Sequence, residues 1–130
     1  NKYINIINKS SKGILGFKNE QIESKWTKGD IFKHFNCLNN KDIYNTTQFS
    51  GGSLHIVRKC KYSLYIYKLW WDTARKFPEL FDDKTNKIIN YKNFIENRHD
   101  QSVWSLICKT NNIEYLSKND IPIKATRIRL

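Results

Sequence analysis

The longest regular pattern in this sequence is a run of apolar residues at helical spacing between residues 62 and 77. Its members recur three or four positions apart, as in the stripe that an amphipathic helix presents to a core: Tyr62, Ile66, Leu69, Trp70, Thr73 and Phe77. Pro78 follows directly, and proline disfavours helical backbone in the residue before it. The pattern therefore predicts one long helix that ends before Pro78, with Trp70 and Trp71 in the core.

Shorter patterns on both sides of this helix alternate between strand and helix. The predicted strands, with residues 12–17 as either loop or strand, are residues 3–7, 12–17, 54–57, 113–116 and the tail around Pro122. The other predicted helices are a stretch through Ile22 and Trp26, a short helix after a capping box of Thr27 and Asp30, and a helix that begins at the polar segment 98–102 and stops near Asn111 and Asn112. This alternation is typical of α/β proteins, which bind ligands where strand ends, loops and helix N-termini converge. We predict a single domain over residues 1–130.

The net charge of the chain is +11, from 23 Lys and Arg against 12 Asp and Glu. That balance favours a polyanionic partner such as nucleic acid, an anionic membrane surface or a phosphorylated ligand. The basic residues are scattered, however, and AT-rich coding DNA would also enrich Lys, Asn and Ile together. Both explanations of the charge stay open. The longest apolar runs are far too short for a membrane span.

No metal site is predicted in this chain. The three cysteines, Cys37, Cys60 and Cys108, are widely spaced and form no CxxC pair, so they are expected to be free thiols in a reducing compartment. Asp82 and Asp83 are adjacent in a polar loop, where carboxylates are usually solvated. With no visible signal peptide, we expect a cytoplasmic location.

Five polar side chains in a row open the last predicted helix: Arg98, His99, Asp100, Gln101 and Ser102. Asp100 alone would suffice as a helix cap, and that explanation stays open. Asp and Gln side by side also offer acceptors and a donor to sugar hydroxyls, while Arg98 suits a phosphate. His99 suits a base, a ligand contact or a metal ligand. The segment is therefore either a helix cap or a ligand site at a helix N-terminus.

Gly51 and Gly52 precede a predicted strand, not a helix. The spacing and the lysine of a phosphate-binding loop are absent, and so is a dinucleotide fingerprint. Two adjacent glycines without side chains indicate either a turn or bulge, or a wall where a ligand touches the backbone.

Four segments together resemble the C-terminal part of GT-A-fold glycosyltransferases, small nucleotide-sugar-dependent enzymes often found with polysaccharide genes and distantly similar to family 8. In chain order they are ESKWTKGDIF, TQFSGGSLHIVRK, FIENRHDQSVWSLI and IKATRIR, and RHDQS is the most specific part. The resemblance implies a GT-A (Rossmann-like) mixed sheet with flanking helices. It also implies transfer of a sugar from a nucleotide-sugar donor to a carbohydrate or another hydroxyl acceptor.

The resemblance implies a set of site residues as well. In family 8, a Phe-Asn-Ala-Gly segment lines the donor-sugar pocket and a DQD motif contacts the sugar; here QFSGG and Asp100-Gln101-Ser102 correspond to them, with Ser in place of the Asn and of the second Asp. Asp100 and Gln101 are the expected catalytic residues, with Asp100 acting as a base, a nucleophile or a positioning group. The expected donor contacts are Gln48, Ser50, Gly51, Gly52, Arg98, His99 and Ser102. The expected acceptor or loop contacts are Lys28 and Asp30.

Two motifs of the family are missing from this sequence, the metal-binding DxD and a late His-x-x-Gly-x-x-Lys segment. The resemblance therefore implies that Mn or Mg is bound through a DxD upstream of Asn1. Because the chain also begins with Asn and contains no Met, we expect a fragment that lacks the nucleotide-binding half and is inactive alone.

Two other functions stay open. A basic nucleic-acid-binding module would use the positive charge for phosphates and the aromatic residues for stacking. No binding signature accompanies the scattered charge, so we predict no specific nucleic-acid partner. The other possibility is an inactive remnant that serves only for protein contacts.

Overall fold

The computed structural model describes residues 2–51, 54–84 and 87–117. In chain order its elements are α1 Lys2–Lys9, β1 Ile14–Ile22, α2 Glu23–Trp26, α3 Gly29–His34, α4 Lys41–Tyr44, β2 Thr47–Phe49, β3 His55–Val57, α5 Lys61–Lys76, a 3-10 helix Pro78–Phe81, α6 Asp100–Thr110 and β4 Glu114–Leu116. Gly52 and the tail with IKATRIR lie outside the described residues. A mixed α/β architecture, as the alternation of patterns predicts, is confirmed.

Strand β1 organises a small mixed sheet, which has four strands within the part of the chain that the structure describes. It pairs antiparallel with β3 through Ile14–Gly16 and with β2 through Lys18–Ile22, and parallel with β4 through Leu15–Phe17. Its apolar first half is buried, and its polar second half is more accessible. Because the strand changes from apolar to polar along its length, the start of β1 lies in the core and its end lies near the polar elements α2 and β2.

Helix α6 runs through the centre of the molecule. All seven residues from Ser102 to Cys108 are buried, and the helix contacts β2, α3 and α5. Trp104 is the largest side chain among the fully buried residues, and burying an indole is one of the largest single hydrophobic contributions available to a core. The polar segment before Ser102 is therefore attached to the best-packed helix of the described chain.

Helix α5 is confirmed at the predicted position, ending just before Pro78. Trp70 packs against buried Trp104 with ring centroids 4.6 Å apart. Trp71, also predicted in the core, is instead 66% exposed. Successive helical residues point about 100° apart, so Trp71 lies off the stripe that contains the buried residue Ile66.

Residues 3–7, predicted as a strand, belong to α1, so that prediction is wrong. Tyr3 and Ile7 are four residues apart and both face the sheet. The ring of Tyr3 lies 6.3 Å from that of Phe17, and Ile7 is buried. Packing on this helical spacing outweighs the β-propensity of Tyr and Ile.

The predicted capping box of Thr27 and Asp30 does not form. The N-cap of α3 is Lys28, and no side chain caps this helix. The hydroxyl of Thr27 donates to the carboxylate of Glu23 at 2.5 Å, and the carboxylate of Asp30 accepts from the backbone N–H of Ile88 at 2.8 Å. Thr27 Oγ1 also accepts from Gln48 Nε2 at 2.8 Å, so both side chains make tertiary contacts that a local pattern cannot reveal.

Candidate functional site

The start of α6 has an unusual backbone geometry. His99 is the N-cap residue, with φ 53° and ψ −118°, and it makes no side-chain capping bond. Positive φ is uncommon outside glycine and often marks a functional constraint. The backbone N–H of Arg98 is held at 3.1 Å from the carbonyl of Trp26 and 3.0 Å from Ser102 Oγ. The turn into α6 is therefore fixed by contacts across the chain.

Asp100 is the first residue of α6, so it is not the cap. Its side chain is exposed, and it makes no hydrogen bond or ion pair with any residue that the structure describes. A carboxylate in the first turn of a helix interacts favourably with the helix dipole. The carboxylate of Asp100 is thus a hydrogen-bond acceptor on a well-packed helix, and it is available to a ligand.

Arg98 and His99 are exposed on the same surface. Arg98 pairs with Glu96 at 3.0 Å, and its guanidinium lies 5.8 Å from the ring of Trp26. His99 Nε2 lies 2.8 Å from Asp83 Oδ1. Exposed pairs of this kind contribute little to stability, so a bound anion can exchange with them at little cost.

Gln101, Gln48 and Ser102 form a polar network behind this surface. Gln101 Nε2 donates to Gln21 Oε1 at 2.7 Å and to Gln48 Oε1 at 2.6 Å. Ser102 Oγ donates to the carbonyl of Trp26 at 2.6 Å. Gln48 and Ser102 have no accessible surface. Their polar atoms hold β1, β2 and α6 together and leave only Gln101 partly accessible.

A buried ion pair that the sequence did not suggest supports this network. The carboxylate of Glu23 lies 2.5 Å from Lys109 Nζ and accepts from Ser105 at 2.7 Å on the same oxygen. Its other oxygen accepts from Thr27 and from Gln48. Burial lowers the pKa of Lys109, and the carboxylate of Glu23 opposes that shift. The one hint in the sequence is the helical spacing of Ser102, Ser105 and Lys109 on an otherwise apolar helix.

The glycine segment lies directly against the start of α6. A Cβ atom on Gly51 would lie 2.9 Å from both Cα and Cβ of Gln101. Ser50 is anchored beside it by its backbone N–H, which donates to the carbonyl of Phe17 at 2.7 Å, and the Gly51 carbonyl accepts from Leu54 in a turn. The structure thus brings Ser50 and Gly51 together with Asp100 and Gln101, and the backbone that Gly51 approaches is that of its own chain.

Gly51→Ala should therefore destabilise the protein by about 1–3 kcal/mol, the range for overpacking a close contact. The new methyl group meets backbone atoms of α6, which cannot move aside as a flexible side chain can. Urea unfolding measures the effect, and Ser50→Ala at the neighbouring, half-buried position is the matched control. Equal stability of Gly51→Ala and the wild type would show that α6 is not fixed against this segment.

Lys28 and Asp30 line a cavity of about 320 Å³ beside the loop segment that follows α5, and Lys28 also lines a neighbouring cavity that includes His99. Lys28 is almost fully buried, and its Nζ donates to the carbonyls of Glu79 at 2.5 Å and Asp82 at 2.9 Å. The carboxylate of Asp30 accepts from the backbone at Lys87 and Ile88. Both residues hold the loop segment that follows α5, so their polar atoms already have partners within the chain.

An aromatic cavity lies on the other side of Asp100. Its volume is about 470 Å³, and it is lined by Tyr67, Trp70, Trp71, Ala74, Phe81 and Asp100. The sequence pattern missed it because the tryptophans of α5 were expected in the core. The exposed indole of Trp71 and the free carboxylate of Asp100 make this cavity part of the candidate site.

No group of three or more His, Cys, Asp or Glu side chains suited to a metal ion occurs among the described residues. The cysteines are unpaired, and burial raises the pKa of Cys37 to about 12 and that of Cys108 well above its usual value. The thiols of Cys37 and Cys108 are therefore protonated and poor metal ligands. Within the same ranges, the helices are too short or too polar to cross a membrane.

Comparisons with protein-family models, with curated proteins and with solved structures each return no match to this chain.

Proposed function

We propose that this chain takes part in glycosyl transfer from a nucleotide-sugar donor to a hydroxyl group of a carbohydrate or another acceptor. The observation that carries the proposal is the exposed, unpaired carboxylate of Asp100, mounted on the first turn of α6. A glycosyltransferase needs such a group beside the reacting sugar, where positive charge develops at the anomeric carbon and an acceptor hydroxyl must be oriented.

The residues around Asp100 suit different parts of that reaction. Arg98 and the N-terminal end of α6 favour the negative charge of a diphosphate leaving group. The side-chain amide N–H groups of Gln101 donate to Gln21 and Gln48. Its side-chain carbonyl oxygen is therefore left to accept from a sugar hydroxyl. Gln48 and Ser102 are buried, so we assign to them the positioning of Gln101 and of the turn at Arg98, and not direct contact with the donor.

The divalent metal that the resemblance implies would compensate phosphate charge when bound. The described residues provide no group that could hold it. The residues of this chain would bind and orient the sugar.

The direct test is an assay of the full-length gene product with a panel of UDP-, GDP- and dTDP-sugars in the presence of Mn²⁺ or Mg²⁺. Release of nucleoside diphosphate should occur with at least one donor and should rise when saccharide acceptors are added. Failure to release diphosphate from any donor, with the protein shown to be folded, would contradict the proposed function.

A further inference from the structure

We infer that the aromatic cavity beside Asp100 binds a pyranose ring of a saccharide acceptor. The role of this sugar as an acceptor rests on the proposed function. The binding of a sugar ring, in contrast, follows from the cavity itself. Helix α5 contributes one face of the cavity, on which Tyr67, Trp70, Trp71 and Ala74 follow each other at helical spacing. Phe81 and Asp100 complete the lining from two other parts of the chain.

The exposed tryptophan is the first reason to expect a ligand. Trp71 leaves 66% of its surface in water and lines the cavity together with Tyr67 and Trp70, and tryptophan and tyrosine are enriched at binding surfaces. Trp70 is fixed by its contact with the buried ring of Trp104, at 4.6 Å between centroids. Tyr67 contacts the same buried ring at 5.5 Å. The inner wall is therefore preorganised, which reduces the entropy lost on binding.

The mixture of aromatic walls and one carboxylate defines the class of ligand. The C–H face of a pyranose is weakly positive and packs on the negative face of an indole. The hydroxyl groups at the edge of the ring need acceptors, and Asp100 provides one at the rim of the cavity. A purely apolar ligand would remove water from Asp100 without replacing its hydrogen bonds, which is unfavourable.

Charge distinguishes a sugar from a cation in this cavity. An aromatic wall with a carboxylate also suits a quaternary ammonium group. However, Arg75 and Lys76 are exposed in the last turn of α5, and the whole chain carries a net charge of +11. This positive potential repels a cationic ligand, whereas a neutral polyol is not repelled.

The position of the cavity fits an acceptor better than a donor. Asp100 lines the cavity, while the next residue of α6, Gln101, contacts Gly51 on the side assigned to the donor. A ring stacked on Trp71 would therefore present its hydroxyl groups to the same carboxylate that faces the donor sugar. This arrangement is what transfer between two sugars requires.

Ligand binding can be tested by saturation-transfer NMR without any turnover. The probes are methyl β-glucopyranoside, methyl β-galactopyranoside, methyl N-acetylglucosaminide, cellobiose and lactose, with sorbitol as an acyclic polyol and tetramethylammonium as a cation. At least one pyranoside should receive saturation at its ring hydrogens, and sorbitol should not. Binding of tetramethylammonium without any pyranoside, or no binding at all, would overturn the inference.

Two variants locate the binding. Trp71→Ala should weaken the pyranoside by about tenfold or more, as for loss of a central aromatic contact, and the exposure of Trp71 makes unfolding by this change unexpected. Tyr65→Ala is the matched control, since Tyr65 is 54% exposed on the opposite face of the same helix. Equal binding by Trp71→Ala and Tyr65→Ala would place the sugar elsewhere and overturn the inference.

The same variants separate this inference from the proposed function. In the transfer assay, Trp71→Ala should raise the acceptor KM by about tenfold or more, whereas Tyr65→Ala should leave the acceptor KM unchanged. If no donor is turned over at all, the proposed function fails, whereas pyranoside binding that depends on Trp71 would still support the cavity as a sugar site.

Discussion

Asp100→Asn should lower the rate of glycosyl transfer by about 100-fold or more, while the stability of the protein changes by less than about 1 kcal/mol. The rate falls because a positioned negative charge is lost where charge develops in the transition state. Stability is spared because the carboxylate makes no bond to the described residues, and only its interaction with the helix dipole disappears. The measurements are kcat/KM for transfer and thermal unfolding of the same preparations.

Asp42→Asn is the matched control for this change. Asp42 is another exposed carboxylate in the first turn of a helix, α4, so it shares the dipole contribution but lies outside the candidate site. Asp42→Asn should leave the rate of glycosyl transfer unaffected. Normal turnover in Asp100→Asn would instead reduce Asp100 to a stabilising residue of the first helical turn and remove it from the site.

The elements that the sequence predicted well are those whose signals are local and repeated. Helix α5 contains several turns of one apolar stripe and ends at Pro78. Helix α6 ends at Thr110 with Asn111 as its C-cap residue, close to the predicted stop near Asn111 and Asn112, and β4 follows it. In each case the residues that define the element also define its boundary, so tertiary context adds little.

Strand β2 and the helical form of α1 escaped prediction because they depend on partners distant in the sequence. Strand β2 has three residues, Thr47–Phe49, too few to show a period of two. It exists because β1 pairs with it, and Gln48 and Phe49 are buried beneath α6. The same dependence explains α1, whose helical form follows from the packing of Tyr3 and Ile7 on the sheet.

The candidate site was predictable only in its exposed part. A row of polar residues before a buried helix indicates the surface that contains Asp100 and Gln101, and Gly51 does lie against it. The support beneath that surface was not predictable, since Glu23 and Lys109 are 86 residues apart and meet only in the folded chain. Trp71 was assigned to the core because a helical stripe does not show which residue at its margin remains exposed.

Glu23→Gln should destabilise the protein by about 3–5 kcal/mol, the largest effect on stability that we expect from a single conservative change. The substitution keeps size and most hydrogen-bonding capacity but leaves Lys109 as a buried charge without its partner, and breaking a buried pair in this way costs about that much. Urea unfolding at pH 7 measures the loss. Asp72→Asn, which removes the partner of Lys68 in an i,i+4 pair where Lys68 is 73% exposed, should leave the urea midpoint nearly unchanged.

The double variant Glu23→Gln with Lys109→Met tests whether the unpaired charge is the cause. Because no buried charge remains, the double variant should lose much less stability than the sum of the losses in the two single variants, as expected for coupled neighbours in one network.

The pH dependence of stability gives an independent test. Burial already lowers the pKa of Lys109, and without Glu23 the folded-state pKa falls further below the unfolded value of about 10.4. Between those two values the unfolded chain binds more protons, so stability rises with pH. The deficit of Glu23→Gln should therefore shrink as the pH is raised from 7 toward 10. A loss below about 1 kcal/mol at pH 7, with no pH dependence, would show that solvent reaches this pair and that it does not hold α6 in place.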